Sequence, residues 1–241
     1  MQKNTMDRTS VVIIKICIFS IVLSLTALLL CTLFYYWTGK DADTWTIKNS
    51  PTVIIDAGHG GMDSGASCEG VYEKELNLSL ALMLGDMLKS SGYEVIQTRS
   101  DDIMLGNGAK GSVKMADLKE RVNLANSYDN AVFVSIHMNK FSQEKYSGLQ
   151  VFYSKNNKSS ASLAEKIQSN VKTMLQSGNN REIKQAGSNI FLLDNIDTPA
   201  VLVECGFLSN PDERKKLSTD EYRKELASVI YSSVVEFLED V

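Results

Sequence analysis

Short runs of β-branched and apolar residues alternate along most of this chain with stretches whose apolar residues return at helical spacing. That alternation limits the fold more than any other feature. The runs are Thr52–Asp56, Tyr93–Thr98, Ala131–Ile136, Leu149–Tyr153 and Ala200–Glu204, with another short apolar run at Ile190–Leu193. Between them Leu76, Leu80, Met83, Leu84 and Met87 form one helical face that Gly92 stops, Leu118, Val122 and Ala125 mark a second helix, and a third runs from about Ser160 to Leu175. Two helices close the chain. Asn210 and Pro211 suit the N-cap and first position of one; Ser218 and Glu221, at capping-box spacing, open the other, whose stripe is Tyr222, Leu226, Val229, Ile230 and Phe237. Strands linked through helices run parallel, so the predicted fold is α/β, a single domain with a mostly parallel twisted sheet covered by helices on both faces. Ligands of such sheets gather at the carboxyl ends of the strands.

An apolar helix precedes this domain. Ile16–Trp37 is apolar apart from scattered Ser and Thr, long enough to cross a bilayer. Lys3, Arg8 and Lys15 come before it, and charges of mixed sign (Lys40, Asp41, Asp43) follow, which favours a cytoplasmic N-terminus and an exported domain. No small-x-small cleavage pattern ends the run, so residues 1–38 read as an uncleaved membrane anchor, with a signal peptide and secretion as the rival reading. Leu28, Leu29 and Leu30 before Cys31 fit a lipoprotein signal poorly. Residues 39–51 lack a period and end at Pro51, a linker, and residues 52–241 form the exported globular domain. A net charge of -4 and a pI near 5.3 provide no basic field for nucleic acid. Cys68 and Cys205 fall in the exported domain, where small buried side chains are a simpler reading than a disulfide.

The chain has two histidines, and each follows a predicted buried strand: His59 after TVIID and His137 after AVFVSI. Neighbouring strands would bring both imidazoles to one point at the carboxyl edge of the sheet. A catalytic metal needs about three protein ligands and an open position, and two histidines with one carboxylate suit zinc. Asp56, Asp63, Glu69, Glu73 and Glu75 are candidates for the third ligand. Glu73 is the best placed, at the expected first turn of a helix, although acids are favoured there by the helix dipole alone. Asp56 reads equally as a supporting partner or an ordinary strand-end residue. Glu204 ends the apolar strand AVLV, where an unpaired charge is costly. It is either a salt-bridged structural group or an acid/base for hydrolysis. The glycines after Thr52–Asp56 do not make a dinucleotide loop, because GxGxxG from Gly58 requires glycine where Asp63 stands. No GxxxxGK[ST] or GxSxG motif appears.

Taken together, IIDAGHGGMDSGA, YEKELNL, LKERVNLAN, VSIHMNK, the pair Asn180-Arg181 and PAVLVECGFLSNPDE resemble the zinc-dependent N-acetylmuramoyl-L-alanine amidases, in order from Thr52 to the C-terminus. The resemblance implies one zinc ion on His59, Glu73 and His137, with Glu204 as catalytic acid/base. It also implies a peptidoglycan substrate cut between N-acetylmuramic acid and L-alanine of the stem peptide. Met138 stands where many relatives have a small residue, and is expected to narrow the cleft wall. Cell-wall-binding repeats are not found, so the substrate would be held by the catalytic domain, the membrane anchor or a partner, such as an accessory lipoprotein or another activating protein. A short catalytic domain behind an apolar segment is similar to the spore-cortex branch, whose activity leads to muramic lactam and serves germination. Two other readings share these features: a zinc peptidase acting on the stem peptide, and a non-catalytic, membrane-anchored wall-binding protein.

Overall fold

The computed structural model describes residues 8–38, 50–106 and 112–240. The chain divides into two units, Met1–Trp45 and Thr46–Val241. In the first, helix α1 spans Arg8–Thr38, and its Val12–Phe34 portion is 23 residues long and apolar. At 1.5 Å per residue that portion reaches about 35 Å, enough to cross a hydrocarbon core of about 30 Å. Most of the expected linker, residues 39–49, and most of the glycine-rich stretch at Gly106–Gly111 lie outside the described residues.

The second unit runs β1 (Thr52–Ala57), β2 (Ser67–Cys68), β3 (Val71–Tyr72), α2 (Glu73–Ser90), β4 (Val95–Gln97), α3 (Val113–Asn126), β5 (Ala131–Asn139) and β6 (Gln150–Tyr153). It continues with α4 (Ser159–Met174), β7 (Lys184–Gln185), α5 (Phe191–Asn195), β8 (Ala200–Phe207), α6 (Pro211–Leu217) and α7 (Asp220–Glu239). Six strands form one sheet in the order β4-β1-β5-β8-β6-β7, parallel except where β6 meets β8. The exception has a simple cause. No helix separates β5 from β6, and without a crossover a strand cannot return parallel.

Period-two alternation sorts each central strand between two cores. On β5, Val132, Val134, Ile136 and Met138 join one core with α2, α4 and α7, while Ala131 and Phe133 join another with α3 and α5. On β8, Val201, Val203 and Cys205 share the first core, and Ala200 and Leu202 share the second. Each fully buried aliphatic or aromatic side chain contributes about 1.5–3 kcal/mol. The α3–α5 face turns polar toward the carboxyl ends of the strands, where Asp56, Ser135, His137 and Glu204 continue the rows of Ile54, Phe133 and Leu202. These four polar groups therefore share one face.

Several expectations change. Ile190–Leu193 leads into the short helix α5 rather than a strand, since a run of four apolar residues has no period that distinguishes the two. The hairpin β2–β3 and strand β7, two residues each, carried no signal. Asn210 caps α6, its side chain accepting from Asp212 N and Glu213 N. Thr219, not Ser218, caps α7; Ser218 closes α6 by donating to Arg214 O. Met138 is 2% exposed and packs into the core beside α2, on the opposite face from His137, so it does not wall the cleft. Both histidine and glutamate also sit deeper than expected: β5 runs on through His137 to Asn139, and β8 through Glu204 to Phe207. Cys68 and Cys205 are both free, the latter fully buried.

Candidate metal centre

The loop after β1 delivers His59 to the sheet edge with a φ of 63°, a left-handed conformation in which few non-glycine residues rest. Two buried arginines hold it there. Arg121 of α3 donates to Ala57 O and His59 O, both at 2.8 Å, and pairs with Asp56 at 2.5 Å and Asp117 at 2.7 Å. Arg99 donates to Ala57 O, Gly58 O and Lys74 O, tying the same loop to the start of α2. Asp56 in turn accepts from Thr98 and from Ser135, two residues before His137. Burial alone would raise the Asp56 carboxyl, but Arg121 and these hydroxyls hold it below the ordinary carboxylate range.

Glu73, the first residue of α2, lies between the histidines. Its Oε1 is 3.2 Å from His59 Nε2 and 2.9 Å from His137 Nδ1, and the two rings stand 5.0 Å apart, edge to face. Backbone donors fix the carboxylate: Met138 N to Oε1 at 3.1 Å and Ala66 N to Oε2 at 2.7 Å. Burial opposes its charge, yet the two imidazoles hold Glu73 well below the usual carboxylate range. Burial likewise works against a charged His59, and the bonds to Glu73 and Asp63 overcome it, raising that imidazole above its ordinary value. Glycine is required at two close approaches. A Cβ on Gly58 would overlap the His137 ring, and one on Gly65, whose φ is 64°, would stand 2.5 Å from Glu73 Oε2.

One donor atom from each of His59, Glu73 and His137 lies within 4.8 Å of the others, which makes them a candidate metal site. Two nitrogens and a carboxylate oxygen suit a divalent ion whose tetrahedral ligands stand about 3.4 Å apart. His59 Nδ1 is taken up by Asp63 Oδ2 at 2.9 Å, which leaves Nε2 to face the centre. That is the carboxylate–histidine arrangement that orients metal ligands. Of the acids that sequence left open, Glu73 alone joins the histidines. Asp63 supports His59, Asp56 serves the arginine, Glu69 pairs with Arg214 at 2.5 Å, and Glu75 is exposed.

Glu204 is the register partner of His137 across β5 and β8. Its Oε2 is shut away from solvent and accepts no hydrogen bond among the described residues. Burial pushes its pKa up to about 7, with the Glu73 charge adding to the shift and His137 opposing it. A carboxyl that changes protonation near neutrality suits proton transfer.

Residues 53–236 match the N-acetylmuramoyl-L-alanine amidase family. The chain belongs to that family. It is 34% identical over 208 residues to the germination-specific N-acetylmuramoyl-L-alanine amidase of Bacillus subtilis, covering 84% of this chain and 87% of that one. Among solved structures it resembles the CwlD amidase from Clostridioides difficile in complex with the GerS lipoprotein (39% identity, TM-score 0.75, 79% of this chain and 100% of that one). It also resembles an N-acetylmuramoyl-L-alanine amidase from Clostridium difficile 630 (32% identity, TM-score 0.69, 80% and 98%). The chain is thus a peptidoglycan hydrolase that acts on the amide between N-acetylmuramic acid and L-alanine.

Sequence reasoning missed Arg121 and Arg99. Arg121 stands within LKERVNLAN, one of the stretches that carry the resemblance, and is a charge set among the apolar positions of α3, three residues after Leu118 and four before Ala125; neither signal was read as a role.

Proposed function

We propose that His59, Glu73 and His137 hold one zinc ion and that Glu204 is the acid/base of an extracytoplasmic amidase that trims spore-cortex peptidoglycan. The observation that carries this reading is the convergence of three donors beside Glu204, whose buried Oε2 has no partner and whose pKa burial raises, on the same sheet face. A zinc ion bound there supplies a Lewis acid that polarises the scissile carbonyl and acidifies water. Glu204 takes the proton from the attacking water and returns it to the departing nitrogen of L-alanine, two tasks suited to a pKa of about 7. Asp63 and Arg121 keep His59 in place throughout. The α1 helix anchors the domain outside the membrane, and the germination-specific relative supports the cortex as the substrate wall. An accessory lipoprotein is a fitting partner by analogy with the complex of the Clostridioides difficile amidase.

The test is product analysis of spore-cortex sacculi digested with the zinc-loaded full-length protein. Mass spectrometry should find intact stem peptides with a free L-alanine amino terminus, and a chelator should abolish their release until zinc is restored. Cuts within the stem peptide, or release indifferent to chelation, overturn the reading. A second outcome concerns Asp63 alone. Asp63→Ala should weaken zinc binding about 10- to 100-fold in chelator competition, because His59 loses the partner that orients its ring. An unchanged affinity removes Asp63 from that role.

A further inference from the structure

Arg181 stands one side chain away from Glu204 and has no part in the centre described above. Gln150 of β6 lies directly opposite Glu204 of β8, so both side chains leave the same face of the sheet, about 4.5–5.5 Å apart at their Cβ atoms. Arg181 Nη1 donates to Gln150 Oε1 at 3.1 Å, and its Nε donates to Ser147 O at 2.7 Å. The guanidinium lies over the buried Phe207 ring, 4.5 Å from its centroid. Gln150 is fixed in turn, its Nε2 donating to Glu182 O. The remaining nitrogen of Arg181, Nη2, makes no hydrogen bond among the described residues. Glu213 does not occupy it: that carboxylate accepts from Gly148 N and Phe207 N, both at 2.8 Å, and no ion pair joins it to Arg181.

The result is a guanidinium held on one edge and one face that helps line a cavity of about 690 Å³, whose other charged residues are Lys145, Lys216, Asp212 and Glu213, the last with its carboxylate taken up by Gly148 N and Phe207 N. An immobilised guanidinium has already lost the rotamer freedom that binding would otherwise cost, and its planar fork matches a carboxylate. The two parts of the substrate differ in charge. The glycan offers neutral hydroxyl and acetamido groups, whereas the stem peptide is acidic.

We propose that Arg181 is a specificity-determining residue that receives the free carboxylate of the second stem residue while the scissile amide lies beside Glu204. This rests on the amidase reading above. It assigns the cavity beyond Gln150 to the peptide leaving group and leaves the glycan to the opposite side of the centre. Loss of a charge-assisted hydrogen bond of this kind lowers binding about 10- to 100-fold.

The experiment compares two disaccharide-tetrapeptides that differ only in whether the second stem residue bears a free carboxylate (D-glutamate) or its amide (D-isoglutamine). Both are offered to zinc-loaded full-length protein as wild type, Arg181→Gln and Arg181→Lys. Wild type should favour the carboxylate substrate by about 10-fold or more in kcat/KM, mainly through KM. In Arg181→Gln the ratio should fall to near one, and Arg181→Lys should keep part of it. Should Arg181→Gln fail to fold, a several-fold drop of the ratio in Arg181→Lys carries the same meaning. An unchanged ratio in the folded variants overturns the role of Arg181 and leaves the amidase reading intact. If wild type cleaves neither substrate at the muramoyl amide, the amidase reading fails and this proposal with it.

Discussion

Glu204→Gln retains zinc and loses about 10²- to 10⁴-fold in turnover on purified peptidoglycan. The substitution keeps the size and one carbonyl oxygen of the side chain, and Glu204 is not among the three convergent donors, so metal content should not change. What disappears is a group able to take up a proton and release it. The buried Oε2 has no partner whose loss would destabilise the fold, so the thermal midpoint should stay near wild type. Burial lifts the Glu204 pKa to about 7 in the protein without metal, a bound cation would lower it from there, and an acid/base of that kind gives the wild-type rate an inflection at its own pKa. That inflection should vanish from the residual rate of the variant. Wild-type turnover, or loss of zinc together with activity, contradicts the assignment.

Arg121→Met removes about 3–5 kcal/mol of stability, the largest structural effect expected in the domain. Arg121 is 1% exposed and Asp56 fully buried, so the variant leaves a carboxylate in the core without a counter-ion, and the Ala57 and His59 carbonyls lose a donor. For a domain of this size the thermal midpoint should fall by roughly 6–20 °C. The pH dependence separates charge loss from simple repacking. In the wild type Asp56 has a depressed pKa, so its contribution is present above the unfolded carboxylate range and is lost as the pH falls. In the variant the Thr98 and Ser135 hydroxyls still oppose burial but the Arg121 charge is gone, so the Asp56 pKa rises relative to the wild type and acid costs the variant less stability. The stability gap between the two proteins should therefore narrow from pH 8 to pH 4. A gap that stays constant or widens refutes the charge argument.

Parts of the candidate site were legible in the sequence for a local reason. A polar residue at the end of a buried apolar run is costly unless it is useful, and His59, His137 and Glu204 stand in that position. Glu73 was one acid among five, because chain spacing alone does not say where a loop of more than ten residues returns. The β2–β3 hairpin decides it, turning the chain so that α2 begins at Glu73 with its carboxylate against both rings. The Met138 expectation failed because a side chain next to His137 on the same strand points to the opposite face. That Arg121 pairs with Asp56 was not readable, since the two are separated by 65 residues and meet only when α3 packs across the sheet.

What the sequence determined by itself was the main alternation of strands and helices, the apolar helix before the domain, and which polar residues follow the buried apolar runs. Those features follow from periodicity and composition, which act over a few residues. Only the tertiary structure decided which acid joins the histidines, how His59 is held in a left-handed conformation, and that Arg181 stands next to Glu204. Those outcomes depend on strand register and on helices packed over the sheet, contacts between residues far apart in the chain that no local pattern encodes.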